Sequence, residues 1–162
     1  MNMVAMKVMF AVCMIHPLGD SGVHGTVTFT QQQDGVHIHA ELTGLTPGEH
    51  GFHVHQFGDC TMTDGTCAGG HFNPTGAPHG GPDSPAGKRH VGDLGNIVAD
   101  ASGKAVYDRV DKMIALNGPH SIIGRSIIVH AGRDDLKSQP SGDAGARVGC
   151  GVIGIGDPAM HH

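Results

Sequence analysis

The chain has 162 residues and a formal net charge of −5, with 10 Lys and Arg against 15 Asp and Glu. That is enough chain for one domain with its own core, and no basic surface argues for nucleic acid or an anionic membrane as partner. Glycine (27) and histidine (14) are abundant while Tyr (1), Phe (5) and Trp (0) are scarce, which points to short strands and turns and, where histidines cluster, to metal.

In chain order, Lys7 is followed by an apolar run over 8–15. It reads as a first strand and not as a secretory core, because Pro17 and Gly19 follow and no small-residue cleavage pattern is present. No apolar run approaches the roughly 20 residues of a membrane span. The expectation is a soluble, cytoplasmic protein, not a secreted one, with no membrane partner.

Period-two alternation predicts strands over 6–15, 24–30, 36–42, 50–57, 94–99, 105–110, 127–130 and 148–155. Asp100-Ala101-Ser102-Gly103 reads as a hairpin turn between two of them. No apolar i, i+3, i+4, i+7 pattern persists, so no helix is predicted. Stretches 58–92 and 131–146 read as two long loops. A structureless loop of about 35 residues is uncommon in a compact domain, so something other than secondary structure must order the first. With no repeat, linker or composition break, residues 1–162 read as a single all-β sandwich or barrel. Four cysteines (13, 60, 67 and 150) form no CxxC and leave the redox compartment undecided.

The chemistry concentrates in three places. His53-Val54-His55 puts two imidazoles on one face of a strand, about 7 Å apart. His37-Ile38-His39 has the same spacing but no partner cluster, and is expected to face solvent and stay empty of metal. His71, His79, His90 and Asp93 offer three imidazoles and a carboxylate, a set that suits tetrahedral zinc. His130 ends the apolar run 127–129 and adds a third imidazole to His53 and His55, and an all-imidazole set suits copper.

The motifs GFHVHQFGD (51–59), GGHFNP (69–74), HGGP (79–82), RHVGDLGN (89–96), IIGRSIIVH (122–130) and DAGARVGCGVIGI (143–155) resemble those of the copper/zinc superoxide dismutases. Their order and approximate spacing match as well, over about residues 6–155. Residues 156–162 form a tail, and the His161-His162 pair is set aside. The resemblance implies an eight-stranded antiparallel Greek-key β-barrel, an immunoglobulin-like sandwich with two long loops. It implies four copper ligands, His53, His55, His71 and His130, and four zinc ligands, His71, His79, His90 and Asp93. His71 belongs to both sets because an imidazolate can bind a metal at each ring nitrogen. Asp134 is implied to tie His53 to His79.

The implied reaction converts superoxide to O2 and hydrogen peroxide as copper alternates between two oxidation states, with His71 released and protonated on reduction. Arg147 is implied to sit beside the copper and attract the anion. Read without the resemblance, it is a surface cation near a glycine-rich turn. Electrostatic steering and near-diffusion-limited turnover are known for superoxide dismutases as a class. Lys137 and Arg133 are further steering candidates, in a second loop that is short and lacks an acid- and lysine-rich insert.

The resemblance makes Cys150 half of a disulfide, with Cys60 or Cys67 as partner. Cys60 is favoured because it follows the FGD segment, leaving Cys67 an extra thiol and Cys13 buried and free. A homodimer is implied through Phe57-Gly58, Ile123-Gly124 and Ile155, with a copper chaperone as a loading partner. The competing readings are a copper-delivery or metal-binding protein without turnover, and an all-β interaction domain with chance histidines. Delivery proteins of this type usually lose ligands and add a cysteine-rich module. This chain keeps all seven ligand residues and Arg147 and has no CxxC.

Overall fold

In the computed structural model, which describes residues 7–161, eight antiparallel strands close into a barrel. They are β1 (Phe10–Pro17), β2 (His24–Gln32), β3 (Gly35–Thr43), β4 (Gly48–His55), β5 (Asp93–Ala99), β6 (Ala105–Asp111), β7 (Ser126–His130) and β8 (Arg147–Ile155). Every predicted strand is present, with ends shifted by a few residues. Met6, in the first predicted strand, and His162, in the terminal pair, lie outside the described residues. Two 3-10 turns, Thr66–Ala68 and Pro158–Met160, are the helical elements among the described residues, and no helix there is long and apolar enough to cross a membrane.

The strands run around the barrel in the order β1-β2-β3-β6-β5-β4-β7-β8, and β8 pairs with β1 to close it. The chain therefore crosses an end of the barrel between β3 and β4 and again between β6 and β7, the Greek-key connection. Alternation explains the core. Val27, Phe29, Ile38, Leu42, Phe52, Val54, Ile127 and Val129 point inward and are fully buried. Burying side chains of this size contributes about 1.5–3 kcal/mol each. At the β5–β6 hairpin, Asp100 Oδ1 accepts the N–H groups of Ser102 and Lys104 at 2.9 and 3.1 Å, as the Asp-X-Ser-Gly turn requires.

On β4 and β7 the alternation is overlaid by burial on both faces. Every residue from His50 to His55 and from Ser126 to His130 is buried. The outward faces of these two adjacent strands are covered by the segments 58–92 and 131–146. The first is ordered by covalent and ionic ties. Cys60 is bonded to Cys150 of β8. At its other end the wholly buried Arg89 pairs with Asp111 at 2.8 Å and donates to the carbonyls of Pro82, His90 and Val91. The second is pinned to β4 by Gly51 N–H donating to the Gly132 carbonyl at 2.8 Å.

Candidate metal centre

Two irregularities sit where the site needs them. The β4–β5 register shifts between Gly51 and His53, and the β7–β8 register shifts between Val129 and His130. Bulges re-aim side chains, and here they turn His53 and His130 toward each other on the outer face beneath the loops. His55 completes the face from β4. His71 comes from the first loop, where it forms an isolated bridge with His55. Ligating atoms of His53, His55, His71 and His130 all lie within 4.8 Å of one another. The same holds for His71, His79, His90 and Asp93. His71 is common to both groups.

The hydrogen bonds decide which nitrogen of each ring is free. His53 Nε2 donates to Asp134 Oδ2 at 2.7 Å, His55 Nδ1 to the Gly69 carbonyl at 2.8 Å, and His130 Nδ1 to the Gly145 carbonyl at 3.1 Å. The remaining atoms, His53 Nδ1, His55 Nε2 and His130 Nε2, are buried with no hydrogen-bond partner, as is His71 Nε2. Four buried nitrogens without partners, converging on one point, are costly unless they face a cation. In His53, His55 and His130 the proton is held on the outward nitrogen, so the inward one carries the lone pair a metal needs.

In the second group Asp93 Oδ1 is the hub. His71 Nδ1, His79 Nδ1 and His90 Nδ1 stand 2.8, 2.9 and 3.2 Å from it. The His79 contact lacks hydrogen-bond geometry, so that nitrogen too is buried without a partner. Asp93 Oδ2 is held by the N–H groups of Gly80 and His90 at 2.9 and 2.8 Å. Three imidazoles and one carboxylate oxygen suit tetrahedral zinc, and four imidazole nitrogens suit copper, so the residues fit the two ions.

In the first group the electrostatics agree. Burial lowers the His53 and His130 rings to about 3 and about 4 and holds His55 well below its ordinary value, so all three stay neutral. At His79 burial is outweighed by Asp134 and Asp93, which raise it to about 9. Burial would raise the carboxyls of Asp93 and Asp134, but their imidazole partners hold both well below the usual range.

Asp134 bridges the two groups, accepting from His53 through Oδ2 and from His79 Nε2 through Oδ1 at 2.8 Å. Asn96 of β5 holds this residue's backbone, its Oδ1 accepting the Asp134 N–H at 2.8 Å and its Nδ2 donating to the Asp134 carbonyl at 3.0 Å. His50 donates from Nδ1 to the His130 carbonyl at 2.9 Å. Neither Asn96 nor His50 was singled out from the sequence. Both lie in the quoted strands, but a side chain that bonds a distant peptide leaves no local pattern.

A cavity of about 370 Å³ opens over the first group, lined by His55, His71, His130 and Arg147 among others. Arg147 is opposite His130 in the strand register and donates to the Gly65 carbonyl at 2.7 Å. Arg133 and Lys137 do not reach this cavity. They line a separate depression beside Leu94 and Tyr107, and Arg133 pairs with Glu49 at 2.7 Å. His37 and His39 lie on the barrel exterior, where both bond Asp108 at 2.9 Å.

Fold and site together define an antiparallel β-barrel that carries two adjoining groups of possible metal ligands with His71 in common. The chain belongs to the copper/zinc superoxide dismutase family, whose model matches residues 23–153. An extracellular copper/zinc superoxide dismutase of Brugia pahangi is 48% identical over 159 residues, covering 92% of this chain and 77% of the relative. A copper/zinc superoxide dismutase of Paramecium bursaria Chlorella virus 1 is 54% identical over 140 residues, covering 82% and 73%. Among solved structures, the crystal structure of the clock protein EA4 superposes with a TM-score of 0.85 at 43% identity, covering 96% of this chain and 99% of that one. The Brugia relative overturns the cytoplasmic expectation, since it is named as extracellular. Composition and the residues after an apolar run carry too little information to set a compartment.

Proposed function

We propose that copper is held by His53 Nδ1 and by Nε2 of His55, His71 and His130, and zinc by Nδ1 of His71, His79 and His90 with Asp93 Oδ1. The observation that carries this is His71, one nitrogen of which joins each donor set. Copper, when bound, supplies the one-electron chemistry that turns two superoxide ions and two protons into O2 and hydrogen peroxide. The protein's part is to orient, admit and protect. Asp134 fixes the tautomers of His53 and His79 at once. The loops bury the ligand rings while leaving the cavity open beside His130. Arg147 places a positive charge in the cavity wall, where it attracts superoxide against the protein's net negative charge.

The chain acts as one domain and works outside the cell, as does the Brugia relative by its name, and the Cys60–Cys150 disulfide suits an oxidising compartment. It assembles as a homodimer. Supporting this, Phe57 and Ile155 are large apolar side chains left 53% and 63% exposed.

The test is metal content together with superoxide turnover. One copper and one zinc per chain are expected. With cobalt in place of zinc, the copper electron-spin signal should be quenched through the shared ring and should reappear in His71→Ala. A full copper signal in the cobalt-substituted wild type would refute the bridge. Light scattering that gives a monomer mass at micromolar concentration would refute the dimer.

A further inference from the structure

The second loop reaches across to the first through a residue that no motif marked. Gln139 Oε1 accepts the peptide N–H of His79 at 2.8 Å, and its Nε2 donates to the carbonyl of the same residue at 2.9 Å. That Nε2 also donates to the Lys137 carbonyl at 2.9 Å, which holds the side chain against its own loop. One carboxamide thus satisfies both polar groups of a single peptide residue. Among the described residues, His79 has no other backbone hydrogen bond, because it lies in no strand and no turn.

The arrangement repeats at the other end of the His79–Asp134 bond. There Asn96 holds the N–H and C=O of Asp134 in the same two-point manner. The 2.8 Å contact between His79 Nε2 and Asp134 Oδ1 is therefore fastened at both ends by a carboxamide, one from the second loop and one from β5. A two-point hold restrains sliding and twisting of the peptide it grips, which fixes the point from which the imidazole projects.

We propose that Gln139 is a positioning residue for the zinc side of the site, holding His79 in ligating geometry from the second loop. The inference rests on the assignment of zinc to His71, His79, His90 and Asp93. Without the Gln139 side chain, the N–H and C=O of His79 would turn to water. The ring would keep its contacts with Asp134 and Asp93 but lose the fixed backbone beneath it, and a ligand freer to swing releases its metal faster.

The experiment uses full-length protein loaded with copper and zinc, and reads zinc transfer to a chromogenic chelator and the visible spectrum of cobalt in the zinc site. Gln139→Ala should lose zinc affinity by about tenfold, the low end for loss of a partner that orients a ligand. Gln139→Glu keeps an oxygen for the His79 N–H but loses the donor, and should fall between. Ser138→Ala removes a contact with Asp135 in the same loop without touching a ligand, and should behave as wild type. The cobalt spectrum should shift in both Gln139 variants and not in Ser138→Ala. Equal zinc affinity in wild type and Gln139→Ala would overturn the inference. So would an equal loss in Ser138→Ala, which would make the effect general loosening of the loop. Wild type without tetrahedral cobalt or zinc would defeat the site assignment itself, and the brace with it.

Discussion

Gly142 lies against Asp134 so closely that a Cβ on it would overlap the Asp134 carboxylate and come within 2.7 Å of His79 Nε2. Its φ of +75° is also one that side-chain-bearing residues adopt at a cost of about 1–2 kcal/mol. Gly142→Ala should therefore push the carboxylate off the two imidazoles it joins. We expect zinc content to fall and the metal-loaded protein to lose about 2–4 kcal/mol of stability, read by metal analysis and denaturant unfolding. A variant with wild-type zinc content would mean that the loop moves freely at this point.

The buried Arg89–Asp111 pair anchors the end of the first loop from which His90 projects. Asp111→Ala leaves a guanidinium in the core without its charge partner, which should cost about 3–5 kcal/mol in urea unfolding of the metal-free protein. Burial would raise the Asp111 carboxyl, but Arg89 and the N–H groups of Ile114 and Met113 hold it below its ordinary value. The group thus contributes stability that is fully present above the unfolded carboxyl pKa of about 4 and is lost as pH falls through the lower folded value. Wild type should lose stability over that acid range more steeply than Asp111→Ala, and parallel curves would remove this pair as the cause.

The cysteines separate by environment. Burial pushes the Cys13 thiol up to about 12. Folded, unreduced protein should therefore label with iodoacetamide at Cys67 and leave Cys13 untouched until it unfolds. The bond between Cys60 and Cys150 closes a separation of 90 residues, worth about 4–5 kcal/mol in the loop-entropy account, an upper figure. Cys60→Ser should lose part of that stability and loosen the loop that carries His71. Peptide mapping that pairs Cys67 with Cys150 would contradict this arrangement.

Arg147→Ala removes a cation from the cavity wall without removing a ligand. A unit charge about 6 Å from the anion is worth roughly 1.4 kcal/mol at an effective dielectric of about 40, which is about tenfold. Superoxide turnover at matched copper content should fall by that order and lose part of its salt dependence. Lys137→Ala should change the rate far less, because Lys137 lines another depression. Equal rates and equal salt slopes for wild type and Arg147→Ala would shift the steering to another group.

The strands and the candidate metal-binding residues were legible in the sequence because both depend on short-range rules. A β-strand places alternate residues on opposite faces, so the alternation around Val27-Thr28-Phe29 and the HxH at 53–55 could be read locally. Residues able to bind metal are of few types, so His71, His79 and His90 stood out even inside a loop, with Asp93 at the strand that follows it. The His37/His39 pair has the same spacing but no cluster of possible ligands to join, and it faces Asp108 on the barrel exterior as its polar flanks suggested.

The rest was decided by tertiary structure, since it depends on which segments the barrel brings side by side. Closure in the order β1-β2-β3-β6-β5-β4-β7-β8 sets His53 and His55 beside His130, more than 70 positions along the chain, and the bulges at Gly51/His53 and Val129/His130 aim the rings. The loop cations split the same way: Arg147 faces the histidines because it is opposite His130, whereas Arg133 and Lys137 turn to the other side of the loop. Gln139 and Asn96 act through a carboxamide on a distant peptide, a bond that any Asn or Gln could make and that no sequence pattern distinguishes. The sequence by itself determined which residues could bind metal and which segments would be strands. Which nitrogen each ring offers, and what holds that ring still, came only with the folded chain, because hydrogen-bond partners are chosen by proximity in space and not along the sequence.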